Sequence, residues 1–300
     1  MSKHPAGTWS GVVPAALTHF TADGALDADA TADHLRWLIR QGAHGLIVGG
    51  TSGEFISLEP REHRQLIDIA IDAAAGQVPL IVGTGRYSTR ETLQLTEYAA
   101  QAGADGALVV QPYFQRPNRQ EILAHYRTVA SVGLPLMIYN IPANSAAAPV
   151  SVEDAAALYA EGVAQAIKST LPTVHQLHEL RAATDDGFRV FYGGITSPLE
   201  GIAGGAHAWV SGLLNVAVPE AVKLWDALAR SDLPAAREAL RPIFALRTII
   251  TRSLLGDAGD LAVYRGLLRL QGRPAGYCRA PLRDLTSEQL TALEAIRSAA

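Results

Sequence analysis

Eight short apolar runs, rich in β-branched residues and spaced from Gly11 to Gly212, constrain the fold of this chain more than any other feature. They are GVVPAAL (Gly11–Leu17), HGLIVGG (His44–Gly50), VPLIVGTG (Val78–Gly85), DGALVVQP (Asp105–Pro112), LPLMIYN (Leu134–Asn140), GVAQAIKS (Gly162–Ser169), FRVFYGG (Phe188–Gly194) and HAWVSG (His207–Gly212). Between them lie stretches with helical periodicity. Segment 27–42 carries Leu35, Leu38 and Ile39 on one face, and segment 59–76 carries Leu66, Ile67, Ala70 and Ile71. Gly42, Gly76, Gly103 and Gly133 stand where helix C-caps are expected. Apolar strands alternating with helices predict a parallel sheet buried on both faces. Eight such units predict an α/β fold of the closed (β/α)8 TIM-barrel type. An open doubly wound sheet is the rival, but it usually has fewer units, and no G-x-G-x-x-G fingerprint follows the first run. After Asn215 the strand pattern gives way to helical segments. The expected division is a catalytic barrel over 1–215 and a helical region over 216–300, packed on the barrel or on a neighbouring subunit.

Composition narrows the function classes. The chain has 300 residues, 48% hydrophobic and 18% charged, so it can fold around its own core. Its net charge is −4 with no basic block, which argues against nucleic acid or an anionic membrane as partner. Cys278 is the one cysteine, so no intrachain disulfide can form, and a reducing cytoplasm is the expected compartment. MSKHPAGTWS lacks the apolar core of a signal peptide, and no apolar run approaches the roughly 20 residues of a membrane span.

In such a barrel, functional groups collect at the C-terminal ends of the strands. The second run ends in Gly49-Gly50-Thr51-Ser52-Gly53-Glu54. Its hydroxyls and adjacent backbone N–H groups suit a carboxylate or phosphate cradle. The same stretch also reads as an ordinary strand-to-helix turn, with Ser57 capping the next helix. Tyr139 ends the fifth run, where it either packs half-buried or relays a proton from the barrel mouth. Lys168 ends the sixth run. Desolvation disfavours a charged amine, and a neutral amine can attack a ketone to form a Schiff base. The alternatives for such a lysine are snorkelling to solvent or pairing with a carboxylate.

Taken together and in this order, GGTSGEF, YNIP and IKST resemble the motifs of the pyruvate-dependent class I aldolases, the dihydrodipicolinate synthase and N-acetylneuraminate lyase superfamily. QPYFQRP, YGGI and GGAHAWVSG add support, and the resemblance runs from about Gly11 to about Asn215. It implies a Schiff base between Lys168 and pyruvate or another small-molecule 2-oxo acid, with no metal or separate cofactor. It implies that Thr51 and Ser52 hold the substrate carboxylate and that Tyr139 shuttles protons. Gly193 and Val210 would line the pocket, and Thr170 would contact the rest of the substrate. It further implies a homotetramer built as a dimer of dimers, with Tyr113 and Phe114 near a subunit contact.

Three departures bear on the substrate. Phe114 stands where many members carry a second tyrosine. Asn144, after Ala143, stands in the region where dihydrodipicolinate synthases carry an arginine for the aldehyde carboxylate, and a neutral amide cannot make that bidentate pair. The acidic pair that some sialic-acid lyases carry after the glycine is replaced by Gly194-Ile195-Thr196. The PAN that follows Ile141 is more like aldolases acting on 4-hydroxy-2-oxoglutarate or 2-keto-3-deoxy acids. The expected function is therefore a Schiff-base lyase for such acids, by aldol cleavage, condensation or dehydration. The alternatives are dihydrodipicolinate synthase, which joins pyruvate to aspartate semialdehyde, and a non-catalytic 2-oxo acid binder. A substrate phosphate held by GGITS and VSGLLN is disfavoured, because neither loop has a lysine or arginine. His175, His178 and Glu179 have metal-ligand spacing but are expected on an outer helix, and Cys278 is expected to be structural.

Overall fold

The computed structural model describes residues 3–299. Eight parallel strands form the inner wall: β1 Gly11–Pro14, β2 Leu46–Val48, β3 Leu80–Gly83, β4 Gly106–Val110, β5 Leu136–Asn140, β6 Ala166–Ser169, β7 Arg189–Tyr192 and β8 Ala208–Ser211. Their spatial order is β1-β8-β7-β6-β5-β4-β3-β2. The remaining seam is joined by Ala16 N–H to Ile47 O at 2.8 Å and His44 N–H to Val12 O at 2.9 Å. The expected TIM barrel is therefore the observed fold, and all eight expected strands are present.

The outer helices are α1 Ala28–Arg40, α2 Pro60–Ala74, α3 Thr89–Ala102, α4 Arg119–Ala130, α5 Val152–Ala160, α6 His175–Ala183, α7 Pro198–Ala203 and α8 Val218–Ala229. Three more follow: α9 Leu233–Thr251, α10 Asp260–Leu270 and α11 Ser287–Ala299. Helix α8 lies against β1, and α9 packs along α8. Among the described residues, no helix is long and apolar enough to cross a membrane.

Local chemistry sets the helix ends. Asp27 caps α1 by accepting from Ala30 N–H at 3.0 Å. Gly103 ends α3 at φ 97°, a left-handed conformation that a side chain would oppose. Ser57 does not cap α2. Its hydroxyl donates to Glu54 O at 2.8 Å, because a short 3-10 turn over Phe55–Ser57 carries the chain further before the helix begins. Proline occupies the first position of α2, and Glu62 Oε2 accepts from Glu59 N–H at 2.9 Å.

Strand alternation divides the core in two. Val12, Leu46, Val82 and Ile138 face the helices and meet residues such as Leu35 and Leu38, which are fully buried. Each such side chain contributes about 1.5–3 kcal/mol, an upper bound from transfer energies. Val13, Ile47, Ile81, Met137, Phe191 and Val210 face inward and fill the barrel with Tyr139. Lys168 has the parity of Ala166 on β6, so its side chain belongs to the inner set, whereas Ile167 belongs to the outer one.

Candidate active site

Lys168 sits in register between Tyr139 on β5 and Phe191 on β7. It is 4% exposed, and its Nζ lies 4.1 Å from the Tyr139 ring centroid. Among the described residues no carboxylate is within ion-pair distance of it, so the side chain neither snorkels outward nor joins a salt bridge. The aromatic face is the neighbour that tolerates either an amine or its cation.

The loop after β2 approaches from across the mouth. Thr51 Oγ1 is 3.2 Å from Tyr139 Oη. Within the loop, Gly53 N–H donates to Gly50 O at 3.0 Å and Glu54 N–H to Thr51 O at 3.0 Å. Among the described residues, the N–H groups of Thr51 and Ser52 have no protein acceptor. Two adjacent free N–H groups beside two hydroxyls can receive a carboxylate. Gly49 has φ 65°, and a Cβ there would fall 2.8 Å from His63 Nε2, so the loop turns where only glycine fits.

Gly193 closes the side next to β6. A Cβ at this position would lie 3.2 Å from Lys168 Cγ and 2.8 Å from both Ser169 O and Thr170 Cγ2. Thr170 therefore borders the lysine stem, and its hydroxyl donates to Asn140 O at 3.1 Å. Val210 is fully buried in the inner wall on β8. Ser52 is near β8 as well, since a Cβ on Gly212 would lie 2.7 Å from Ser52 Oγ.

Other expected residues lie farther out. Tyr113 is half-buried, with its ring at 6.0 Å from both Phe55 and Tyr87 in edge-to-face contact. Burial raises the pKa of its phenol. Phe114 is 79% exposed, with its ring edge-on to Tyr87 at 6.4 Å. Asn144 is exposed at the end of a short turn over Pro142–Asn144. His175 and Glu179 pair with each other at 3.2 Å on the solvent face of α6. Burial pushes the Cys278 thiol up to about 11, which opposes nucleophilic use.

One polar network was not anticipated from the sequence. Ser169 Oγ donates to Gln176 Oε1 at 2.7 Å, and Asn140 Nδ2 donates to the same atom at 3.1 Å. Gln176 Nε2 and Asn140 Nδ2 both donate to Val150 O, at 2.9 and 3.3 Å. These bonds tie the ends of β5 and β6 together directly behind Tyr139 and Lys168. Asn140 within YNIP was visible as a strand-end polar residue, whereas Gln176 on α6 gave no local signal.

Comparison with known proteins agrees with this arrangement. A DapA-like lyase of Halobacterium salinarum is 36% identical over 287 residues, covering 95% of this chain and 92% of that protein. The 4-hydroxy-tetrahydrodipicolinate synthase of Teredinibacter turnerae is 32% identical over 288 residues, covering 96% and 97%. The structure of YagE, a prophage protein of E. coli K12 belonging to the dihydrodipicolinic acid synthase family and solved in complex with pyruvate, superposes with a TM-score of 0.89. It is 27% identical, and the match covers 97% of this chain and 98% of that one. Residues 8–300 match the dihydrodipicolinate synthetase family as a whole, and the chain belongs to that family.

Proposed function

We propose that this protein is a lyase that forms a Schiff base between Lys168 and a 2-oxo acid and cleaves or forms its C3–C4 bond. The observation that carries the reading is the buried Lys168 amine 4.1 Å from the Tyr139 ring, whose hydroxyl is 3.2 Å from Thr51 Oγ1. In the cleavage direction Nζ attacks the C2 carbonyl, water leaves, and an iminium forms. The iminium accepts the electron pair of the C3–C4 bond as that bond breaks. Tyr139, bonded to Thr51, relays the proton lost from the 4-hydroxyl, and an aldehyde departs. Protonation of the enamine at C3 and hydrolysis release pyruvate and restore the amine. The free N–H groups of Thr51 and Ser52 receive the C1 carboxylate, Gly193 and Val210 shape the pocket, and Thr170 meets the distal half.

The preferred substrates are 2-keto-3-deoxy or 4-hydroxy-2-oxo acids with a hydroxylated distal half, because Asn144 brings no positive charge to it. A second reading is dihydrodipicolinate synthase. The named relatives favour it, and so does Arg247 on α9. Arg247 Nη1 donates to Thr196 O at 3.0 Å in the loop that begins at Gly193, and its Nε is buried without a partner. A homotetramer is the proposed assembly, with Tyr87, Tyr113 and Phe114 beside a subunit contact; a monomeric mass in light scattering at micromolar concentration would exclude it.

The direct test is borohydride reduction in the presence of pyruvate, read by intact mass and peptide mapping. One pyruvate-derived adduct per chain on Lys168 is expected, unchanged by EDTA, since the iminium is itself the electron sink. An adduct on another residue, or none, defeats the mechanism.

A further inference from the structure

The loop that carries Thr51 and Ser52 ends at Glu54, which holds a left-handed conformation at φ 53°. A non-glycine residue keeps that conformation only where its surroundings hold it. Here the holding group comes from outside the barrel. Glu54 Oε1 accepts from Arg265 Nη2 of α10 at 2.6 Å, with the two side chains 2% and 0% exposed. Glu54 Oε2 accepts from Arg279 N–H at 2.9 Å. Arg265 also donates to Ala275 O at 2.6 Å and, through Nη2, to Thr18 O at 2.8 Å. Thr18 returns to the loop, its hydroxyl donating to Gly53 O at 2.8 Å.

These contacts form one unit around the loop. Glu54 N–H donates to Thr51 O at 3.0 Å, so a displacement of Glu54 is passed to the residue whose hydroxyl meets Tyr139 and whose N–H has no protein acceptor. The preceding residue of α10 lies on the same side of the loop. Tyr264 Cε2 and Ser52 Oγ lie 2.8 and 2.7 Å from the same point, the Cβ that Gly212 lacks. A buried carboxylate with a buried guanidinium persists only when each satisfies the other, so the pair fixes the loop in one geometry.

We propose that the Glu54–Arg265 pair is the positioning device of the carboxylate cradle, through which α10 controls recognition of the substrate carboxylate without acting on the Lys168 amine. The proposal rests on the reading of Thr51 and Ser52 as that cradle. Both side chains are buried and spend their bonds on each other and on the protein, so the proposed role is positioning and not contact with substrate. Their effect is therefore on substrates that carry a carboxylate beside the ketone, and not on ketones in general.

The test compares borohydride trapping of two ketones, pyruvate and acetone, which differ in the carboxylate. Half-saturating concentrations are measured for the full-length wild type and for Glu54→Gln, Arg265→Lys and Thr18→Val. Losing alignment of one charge-assisted hydrogen bond corresponds to about tenfold or more in affinity. Glu54→Gln is expected to raise the half-saturating pyruvate concentration by about that factor and to leave acetone within about twofold, with Arg265→Lys in between. Thr18→Val keeps the ion pair and removes only the bond to Gly53 O. It is expected to weaken pyruvate by about threefold, again without effect on acetone, and it carries the test if Glu54→Gln does not fold. Equal losses for both ketones, or unchanged pyruvate trapping in the variants that fold, overturns the positioning role. A wild type that traps acetone as readily as pyruvate overturns the cradle itself.

Discussion

The phenol of Tyr139 and the hydroxyl of Thr51 meet at 3.2 Å across the mouth of the barrel, one from the end of β5 and the other from the loop after β2. The contact joins the residue beside Lys168 to the loop with free N–H groups. In the proposed mechanism, carboxylate binding and proton transfer lie within one hydrogen bond of each other. Tyr139→Phe removes the relay and keeps the ring face against Lys168. Turnover is expected to fall by about 10²–10⁴-fold, the usual contribution of a positioned acid–base group, while pyruvate is still trapped on Lys168. Turnover within about twofold of wild type would mean that Tyr139 only packs against the lysine.

Gly193 offers a steric test. A Cβ there would stand 2.8 Å from Ser169 O, and that carbonyl already accepts from Gly193 N–H at 2.7 Å, so it cannot withdraw. The Lys168 stem and Thr170 must move instead. Gly193→Ala is expected to lower kcat/KM by about a hundredfold through misplacement of the amine. The accompanying loss of stability is about 1–3 kcal/mol from overpacking, measured by urea unfolding. An unchanged kcat/KM would show that the strands separate without disturbing the lysine.

Acid should destabilise the fold before its carboxylates titrate. Burial pushes His34, His63 and His125 each down to about 4. In the unfolded chain these rings titrate near about 6.5, so between those values the unfolded state binds protons that the native state refuses. Their contribution is complete above about 6.5 and declines as the pH falls toward about 4, by up to about 3 kcal/mol per ring. The urea midpoint should fall steadily from pH 7 to pH 4.5. His125→Gln, which keeps an acceptor for Thr89, should flatten that slope. A midpoint that stays constant over this interval would contradict the burial of these rings.

The proposed substrate preference turns on Asn144 and Arg247. Condensation of pyruvate with aspartate semialdehyde is expected to lie about one to two decades in kcat/KM below cleavage of hydroxylated 2-keto-3-deoxy acids, because Asn144 offers no charge-assisted bond. Parallel assays of pyruvate consumption and release measure the ratio. If aspartate semialdehyde is preferred, Arg247→Gln should abolish that preference, and the assignment passes to dihydrodipicolinate synthase.

The sequence by itself determined the barrel, because the alternation of apolar strands with amphipathic helices sets the eightfold repeat. Both faces of such strands are buried, so only the tertiary structure decided which face lines the interior, and it puts Tyr139 and Val210 there. Lys168 was legible because a charge in an apolar strand is costly enough to need a reason. Only the tertiary structure decided which groups hold that site together. Glu54 and Arg265 are 211 positions apart in the chain and meet at 2.6 Å with almost no exposure. Ser169 and Gln176 join a bond network through the fold of β6 onto α6. Periodicity reports which face of an element is apolar. It carries no information about which polar group on a distant element arrives to satisfy a buried one, because that depends on how the helices dock around the closed barrel.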